Sequence, residues 1–110
     1  MEMNSSIKAY VKEAALDDVV VWSSSNEFSN VLLVNGFARK EESIFTYTTT
    51  SDENKAKLFT WLRDNDVLFS DGREWNPSEV FEYLREKKLL SGSYQRITWV
   101  GQDVFQVRVC

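Results

Sequence analysis

Histidine is missing from all 110 residues, and cysteine occurs once, as Cys110. Those two side chains carry most nucleophilic, general-base and transition-metal chemistry near neutral pH. Their shortage excludes a Ser-His-Asp or Cys-His constellation and a zinc site built from several Cys or His ligands. One thiol cannot make an internal disulfide, which predicts a reducing, cytoplasmic setting. With one proline and four glycines, there is little material for a linker, and neither a Gly-rich phosphate loop nor a dinucleotide fingerprint is present. The longest apolar runs, Val19–Trp22 and Val31–Val34, are far too short to span a membrane. Met1 to Ser6 hold no positive segment leading into an apolar one, which predicts no secretory leader. No cofactor and no metal are expected, and the chemistry points away from catalysis.

What is present predicts one domain over residues 1–110. Hydrophobic residues at 43% and charged residues at 27% have the balance of a folded globular chain rather than a disordered one. Trp, Tyr and Phe make up 14%, enough large rings to fill a core at this length. The formal charge of −4 argues against nucleic acid, whose phosphates demand clustered Lys and Arg, and it permits a basic partner.

Ile7, Tyr10, Val11 and Ala14 recur at helical spacing behind Ser5, predicting a short helix over residues 5–15. The β-branched run Val19–Trp22 predicts a buried strand. Ser24 and Glu27 stand three apart as a capping box, with Phe28, Val31 and Leu32 on one helical face behind them. Asn35-Gly36 then ends a helix with Gly36 at the left-handed position, or makes a hairpin turn; the capping box upstream favours the helix. Residues 44–49 predict a strand that starts as early as Ala38. Thr50 and Glu53 repeat the capping-box spacing before a helix with Leu58, Trp61 and Leu62 on one face. Residues 67–75 predict a small hairpin turning at Gly72. Asn76-Pro77-Ser78-Glu79 is the clearest helix start, with a cap, a proline at the first helical position and a glutamate in the first turn.

The last segment, residues 94–109, predicts a hairpin whose register can be derived. A two-residue turn at Gly101-Gln102 would mix polar and apolar side chains on both faces. A three-residue loop pairs Trp99 with Phe105 and Ile97 with Val107 on one face, and Thr98 with Gln106 and Arg96 with Arg108 on the other. Only the second register segregates them. It places Arg96 and Arg108 opposite each other on the solvent side, an arrangement that attracts an anion or a partner's carboxylate unless neighbouring acids neutralise it.

The expected fold is α+β: a mostly antiparallel sheet with three or four helices packed largely on one face. The expected function is a small acidic, non-enzymatic binding protein (an inhibitor, immunity or accessory factor) that meets a protein partner, for which the net charge permits a basic surface. Candidate contact residues are Arg96 and Arg108 for an anion or partner, and Trp75, Tyr83 and Tyr94 for an aromatic surface. The edge strand of the last hairpin also offers a route to a homodimer. Two alternatives stand beside this reading. One is a winged-helix regulator of nucleic acid, with residues 77–88 as the reading helix and the hairpin as the wing. The other is a small-molecule binder or carboxylate-based enzyme with an aromatic-lined pocket.

Overall fold

Residues Ala9–Glu13, expected within a helix, form the middle strand (β1) of a seven-stranded sheet. Ala9 and Val11 have no exposed surface and Tyr10 between them is half-buried, so the segment satisfies a period of two as well as the helical one. Pairing decides between them: Tyr10 lies opposite Trp22 and Val11 opposite Val21 on the neighbouring strand, whose β-branched run has no helical alternative. A computed structural model describes residues 8–72, 75–101 and 104–110. After β1 come β2 (Asp18–Ser23), α1 (Asn26–Val34), β3 (Ala38–Glu41), β4 (Ile44–Thr48), α2 (Asp52–Asp64), β5 (Leu68–Ser70), α3 (Pro77–Glu86), β6 (Gln95–Gly101) and β7 (Val104–Val109).

The sheet runs β3-β4-β2-β1-β5-β6-β7 and is mixed. Antiparallel ladders join β1/β2, β2/β4, β3/β4 and β6/β7, while β5 lies parallel to both β1 and β6. The hairpin expected over residues 67–75 is therefore replaced by a three-residue internal strand; Arg73 and Glu74 of that expectation lie outside the described residues. The strand expected from Ala38 or Ile44 is in fact two strands turning at Glu42-Ser43. No glycine, asparagine or proline marks that turn; Arg39 Nη1 steadies it by donating to the Glu42 carbonyl at 2.6 Å.

One core joins all three helices to one face of the sheet: Phe28 and Leu32 from α1, Phe59 and Leu62 from α2, and Phe81 and Leu84 from α3 pack with Val11, Val21, Phe45 and Phe69. The radius of gyration is 13.2 Å, about that of a single domain of this length. Among the described residues no helix is long and apolar enough to cross a membrane.

All three helices begin on the residue types expected, with two caps displaced by one. Ser25 rather than Ser24 accepts from the Phe28 N–H, Ser51 rather than Thr50 accepts from Asn54, and Asn76 accepts from Ser78. They also end alike. The N–H of Phe37, Val67 and Leu89 each bonds back to the carbonyl of Leu32, Leu62 and Leu84 at 3.0 Å. The residue before each, Gly36, Asp66 or Lys88, has positive φ of 97°, 65° or 61°. This is the six-to-one closure in which a left-handed residue stops the helix and two apolar side chains clasp across the end. Only α1 places a glycine there.

A side chain with a β-carbon disfavours that left-handed conformation by about 1 kcal/mol. Asp66→Gly and Lys88→Gly are therefore expected each to raise the unfolding free energy by roughly 0.5–1 kcal/mol. Urea denaturation measures this directly; a lower midpoint in both variants would contradict the assigned helix ends.

Candidate functional site

The hairpin β6–β7 adopts the derived register from Arg96/Arg108 to Ile97/Val107, Thr98/Gln106 and Trp99/Phe105. Beyond it the register shifts, so that Gly101, expected in the loop, lies opposite Val104, and Gln102 and Asp103 of the expected loop lie outside the described residues. Its orientation is the reverse of the one expected. Phe69, a core residue, lies beside Arg96 in the parallel ladder, and Ser70 beside Ile97. Arg96 consequently faces the helices, and the apolar set Ile97, Trp99, Phe105 and Val107 faces the side of the sheet that no helix covers among the described residues.

Tyr10 and Trp22, which alternate with core residues on β1 and β2, point the same way. The result is a row of rings along the helix-free face. Trp22 and Tyr10 stack at 5.0 Å between centroids, Tyr10 and Trp99 meet at 6.0 Å, and Trp99 and Phe105 at 5.2 Å. Phe105 and Ile97 are buried by their neighbours on that face, whereas Trp99 is 41% exposed, Val107 44% and Val109 70%. Burial between the two indoles pushes the Tyr10 phenol above its usual range.

Ser70 anchors this row. Its hydroxyl accepts from Trp99 Nε1 at 2.8 Å, and its carbonyl accepts from Trp75 Nε1 at 2.9 Å. One buried serine thereby fixes an indole on each side of the sheet. The ionisable carboxylates that the register places on the helix-free face are Glu13, Asp18 and Glu41, opposite Val20, Thr48 and Ile44. All three are exposed. Lys12 and Lys40 stand at the bulges of β1 and β3, outside the paired register.

The residues singled out from sequence do not form one surface. Trp75 and Tyr94 are buried among the core residues, and Tyr83 alone of the three is exposed. Tyr94 stacks on Phe81 at 3.7 Å, and its hydroxyl is buried with no hydrogen-bond partner among the described residues. Arg96 is absorbed by the protein: Nε donates to Asp71 Oδ1 at 2.7 Å and Nη1 to Ser78 Oγ at 2.9 Å, while Thr98 Oγ1 donates to Asp71 Oδ2 at 3.3 Å. The hydrogen bond to Asp71 raises the guanidinium pKa further against the opposing cost of burial. Arg108, directly across the ladder, is exposed. Sequence reasoning paired Trp99 with Phe105 but turned them inward, and it missed Tyr10 and Trp22 as ring neighbours. The signal was the unbroken run Val19–Trp22, which is apolar on both faces of its strand.

A second feature is an open cleft of about 420 Å³ where the N-terminal ends of α2 and α3 meet the β1–β2 turn. Lys55 Nζ donates there to the carbonyls of Ala14 at 2.9 Å and Leu16 at 2.7 Å. Burial lowers its pKa, opposed by the charges of Asp17 and Asp52. Tyr83 OH donates to Asp52 Oδ2 at 2.6 Å. Tyr83 is the one ring in the lining, so the cleft lacks the aromatic walls of a small-molecule site. Among the described residues no group of three or more His, Cys, Asp or Glu side chains is placed to hold a metal ion. The hairpin that would serve as a wing is the edge of the continuous sheet. No protein-family model, no curated protein and no solved structure matches this chain.

Two consequences can be measured. Arg96→Ala leaves the Asp71 carboxylate, which is largely buried, without its cation, and is expected to cost roughly 1–3 kcal/mol in chemical denaturation; a loss indistinguishable from zero would mean that water already satisfies Asp71. Tyr94→Phe removes a buried hydroxyl that lies near Ser78 and Cys110 but has no partner in hydrogen-bonding geometry among the described residues, and stability at neutral pH is expected to hold or rise by about 1 kcal/mol. Burial raises the Tyr94 phenol above its ordinary value of 10.0. Its contribution is therefore intact below pH 10 and lost as pH climbs through the folded value. The phenylalanine variant is expected to lose less stability than wild type across that alkaline range.

Proposed function

We propose that this is a non-enzymatic protein of the reducing cytoplasm that acts by protein–protein contact, with the helix-free face of its sheet as the docking surface. The single observation behind this reading is the row Trp22–Tyr10–Trp99–Phe105, apolar, pre-packed and left without a helical roof. Tryptophan and tyrosine held rigid in this way lose little conformational entropy on binding, which is why they dominate interface energetics. The partner is a protein with an apolar patch flanked by Lys or Arg. Glu13, Asp18 and Glu41 on this face supply the complementary charge, and the net charge of −4 favours encounter with a basic surface.

Rings on an open sheet also serve as stacking platforms for single-stranded nucleic acid. That use requires a cationic groove along the phosphates, and the charged side chains that the paired register places on this face are the carboxylates Glu13, Asp18 and Glu41, with Lys12 and Lys40 beside two of them at the bulges. The protein reading is the one that the chemistry favours.

The test compares two exposed apolar residues replaced alike. Trp99→Ser alters the open face, and Leu33→Ser alters α1 on the helical side. Both variants and the wild type are immobilised and exposed to lysate of the source cells, and in parallel titrated with a single-stranded oligonucleotide at low salt. A basic protein retained by wild type and Leu33→Ser, with affinity reduced about thirty-fold or more in Trp99→Ser, is the expected result for an interface hot spot. Equal retention by Trp99→Ser, or tryptophan quenching by the oligonucleotide, overturns the proposal.

A further inference from the structure

We infer that β7 is the seam of a homodimer, pairing antiparallel with β7 of a second copy about a two-fold axis at Val107. The two edges of the sheet differ in kind. The β3 edge is four residues long, wholly exposed, carries Arg39, Lys40 and Glu41, and is kinked by a bulge. Charge and a bulge are the devices that keep an edge strand from pairing. The β7 edge, Val104–Val109, has six residues, no proline, one charged side chain, and its register irregularity falls at its very start. It is left open to pairing.

The hydrogen-bond phase fixes which groups are free. Cys110 N–H donates to the Tyr94 carbonyl at 2.8 Å, and Gln95 lies opposite Val109. Antiparallel ladders alternate bonded and non-bonded pairs, so Gln106, Arg108 and Cys110 bond inward to β6. Phe105, Val107 and Val109 direct their N–H and C=O outward from the sheet, away from any neighbouring strand.

Self-complementarity then selects the register. Bonded residues must meet bonded residues, so the axis passes through a residue and not between two. An axis at Arg108 sets two guanidinium groups face to face, which is unfavourable. An axis at Val107 sets Val107 against its copy and Phe105 against Val109 of the partner subunit on the helix-free face. On the opposite face it sets Arg108 against Gln106 of the partner subunit, whose amide oxygen accepts from the guanidinium. Apolar meets apolar and polar meets polar throughout. The exposed strip of Val107 and Val109 is covered, and the two aromatic rows join into one continuous face.

A Cys110→Ser background leaves no native thiol, and Val107→Cys is introduced into it. A bonded antiparallel pair holds its Cα atoms about 5.5 Å apart but its Cβ atoms too far apart for an unstrained disulfide, so a bis-methanethiosulfonate reagent with a two-carbon spacer should yield a covalent dimer. Val109→Cys in the same background, whose copies stand four residues out of register, should not. Val107→Lys should raise the dimer dissociation constant about tenfold or more by sedimentation equilibrium, with far-UV circular dichroism showing the fold retained. A wild-type chain that stays monomeric at high micromolar concentration overturns the inference. So does a dimer indifferent to Val107→Lys, or equal cross-linking at Val109. A monomeric outcome leaves the docking reading of the open face standing, because that reading rests on the ring faces of Trp22, Tyr10 and Trp99 and the dimer on the outward backbone groups of β7.

Discussion

Seven strands about 4.8 Å apart set the two edge strands roughly 29 Å apart, and three helices about 9–10 Å apart set their outer axes roughly 19 Å apart, so that with their side chains they cover most of that width. Among the described residues all three helices lie on one face, and none lies on the other. The arrangement holds because β5, only three residues long, ties the two halves of the sheet together. Its Phe69 pairs with Val11 and Arg96 in the ladders and meets the rings of Phe59, Phe81 and Tyr94 at 5.0–5.7 Å. That knot joins α2, α3 and β6 to the central strand. It also determines which way the last hairpin faces, and so which rings reach solvent.

What the sequence made legible is local chemistry. Helix starts follow from a short polar side chain that can reach a free N–H, and the end of α1 follows from Gly36; the ends of α2 and α3, on the left-handed Asp66 and Lys88, carry no such mark. The register of β6–β7 was derivable because a one-residue slip exchanges the two faces of the hairpin. The strand β1 was not, since Tyr10, Val11 and Ala14 fit a helical stripe as well as an alternating one, and only the partner strand decides. β5 was equally opaque: three residues carry no periodicity. The orientation of the final hairpin is a tertiary fact. Segregation of Ile97 and Trp99 from Arg96 and Thr98 says that one side is apolar, but which side meets the helices depends on Phe69 lying beside Arg96.

Of the rings in the row Trp99 is exposed, Tyr10 and Trp22 are half-buried and Phe105 is buried, and their packing suits the docking role proposed for this face. Single exposed apolar residues such as Val34 or Leu16 are ordinary on any protein. The row on the sheet differs because its members touch, and because Trp99 is tethered through its N–H to the buried Ser70. A tethered indole has already lost its rotamer freedom, so covering it releases water without a further ordering cost. The carboxylates in the paired register of that face suit the cationic rim proposed for a partner.

Lys55 shares the cleft with Asp17, Asp52, Glu79 and Tyr83, and a lysine with a lowered pKa is a frequent mark of an active site. The cause of the shift argues otherwise. The ammonium is buried because it closes the β1–β2 turn, donating to the carbonyls of Ala14 and Leu16 from the second turn of α2. A base must offer a lone pair to substrate, and deprotonation here would weaken the hydrogen bonds made to those two carbonyls. The turn that depends on them leads from β1 into β2, the centre of the sheet. Proton transfer at Lys55 would therefore be coupled to loosening of the strands that carry Tyr10 and Trp22. A group whose charge the fold needs is poorly placed to cycle it, and the cleft is better understood as the seam that joins α2 to the central hairpin.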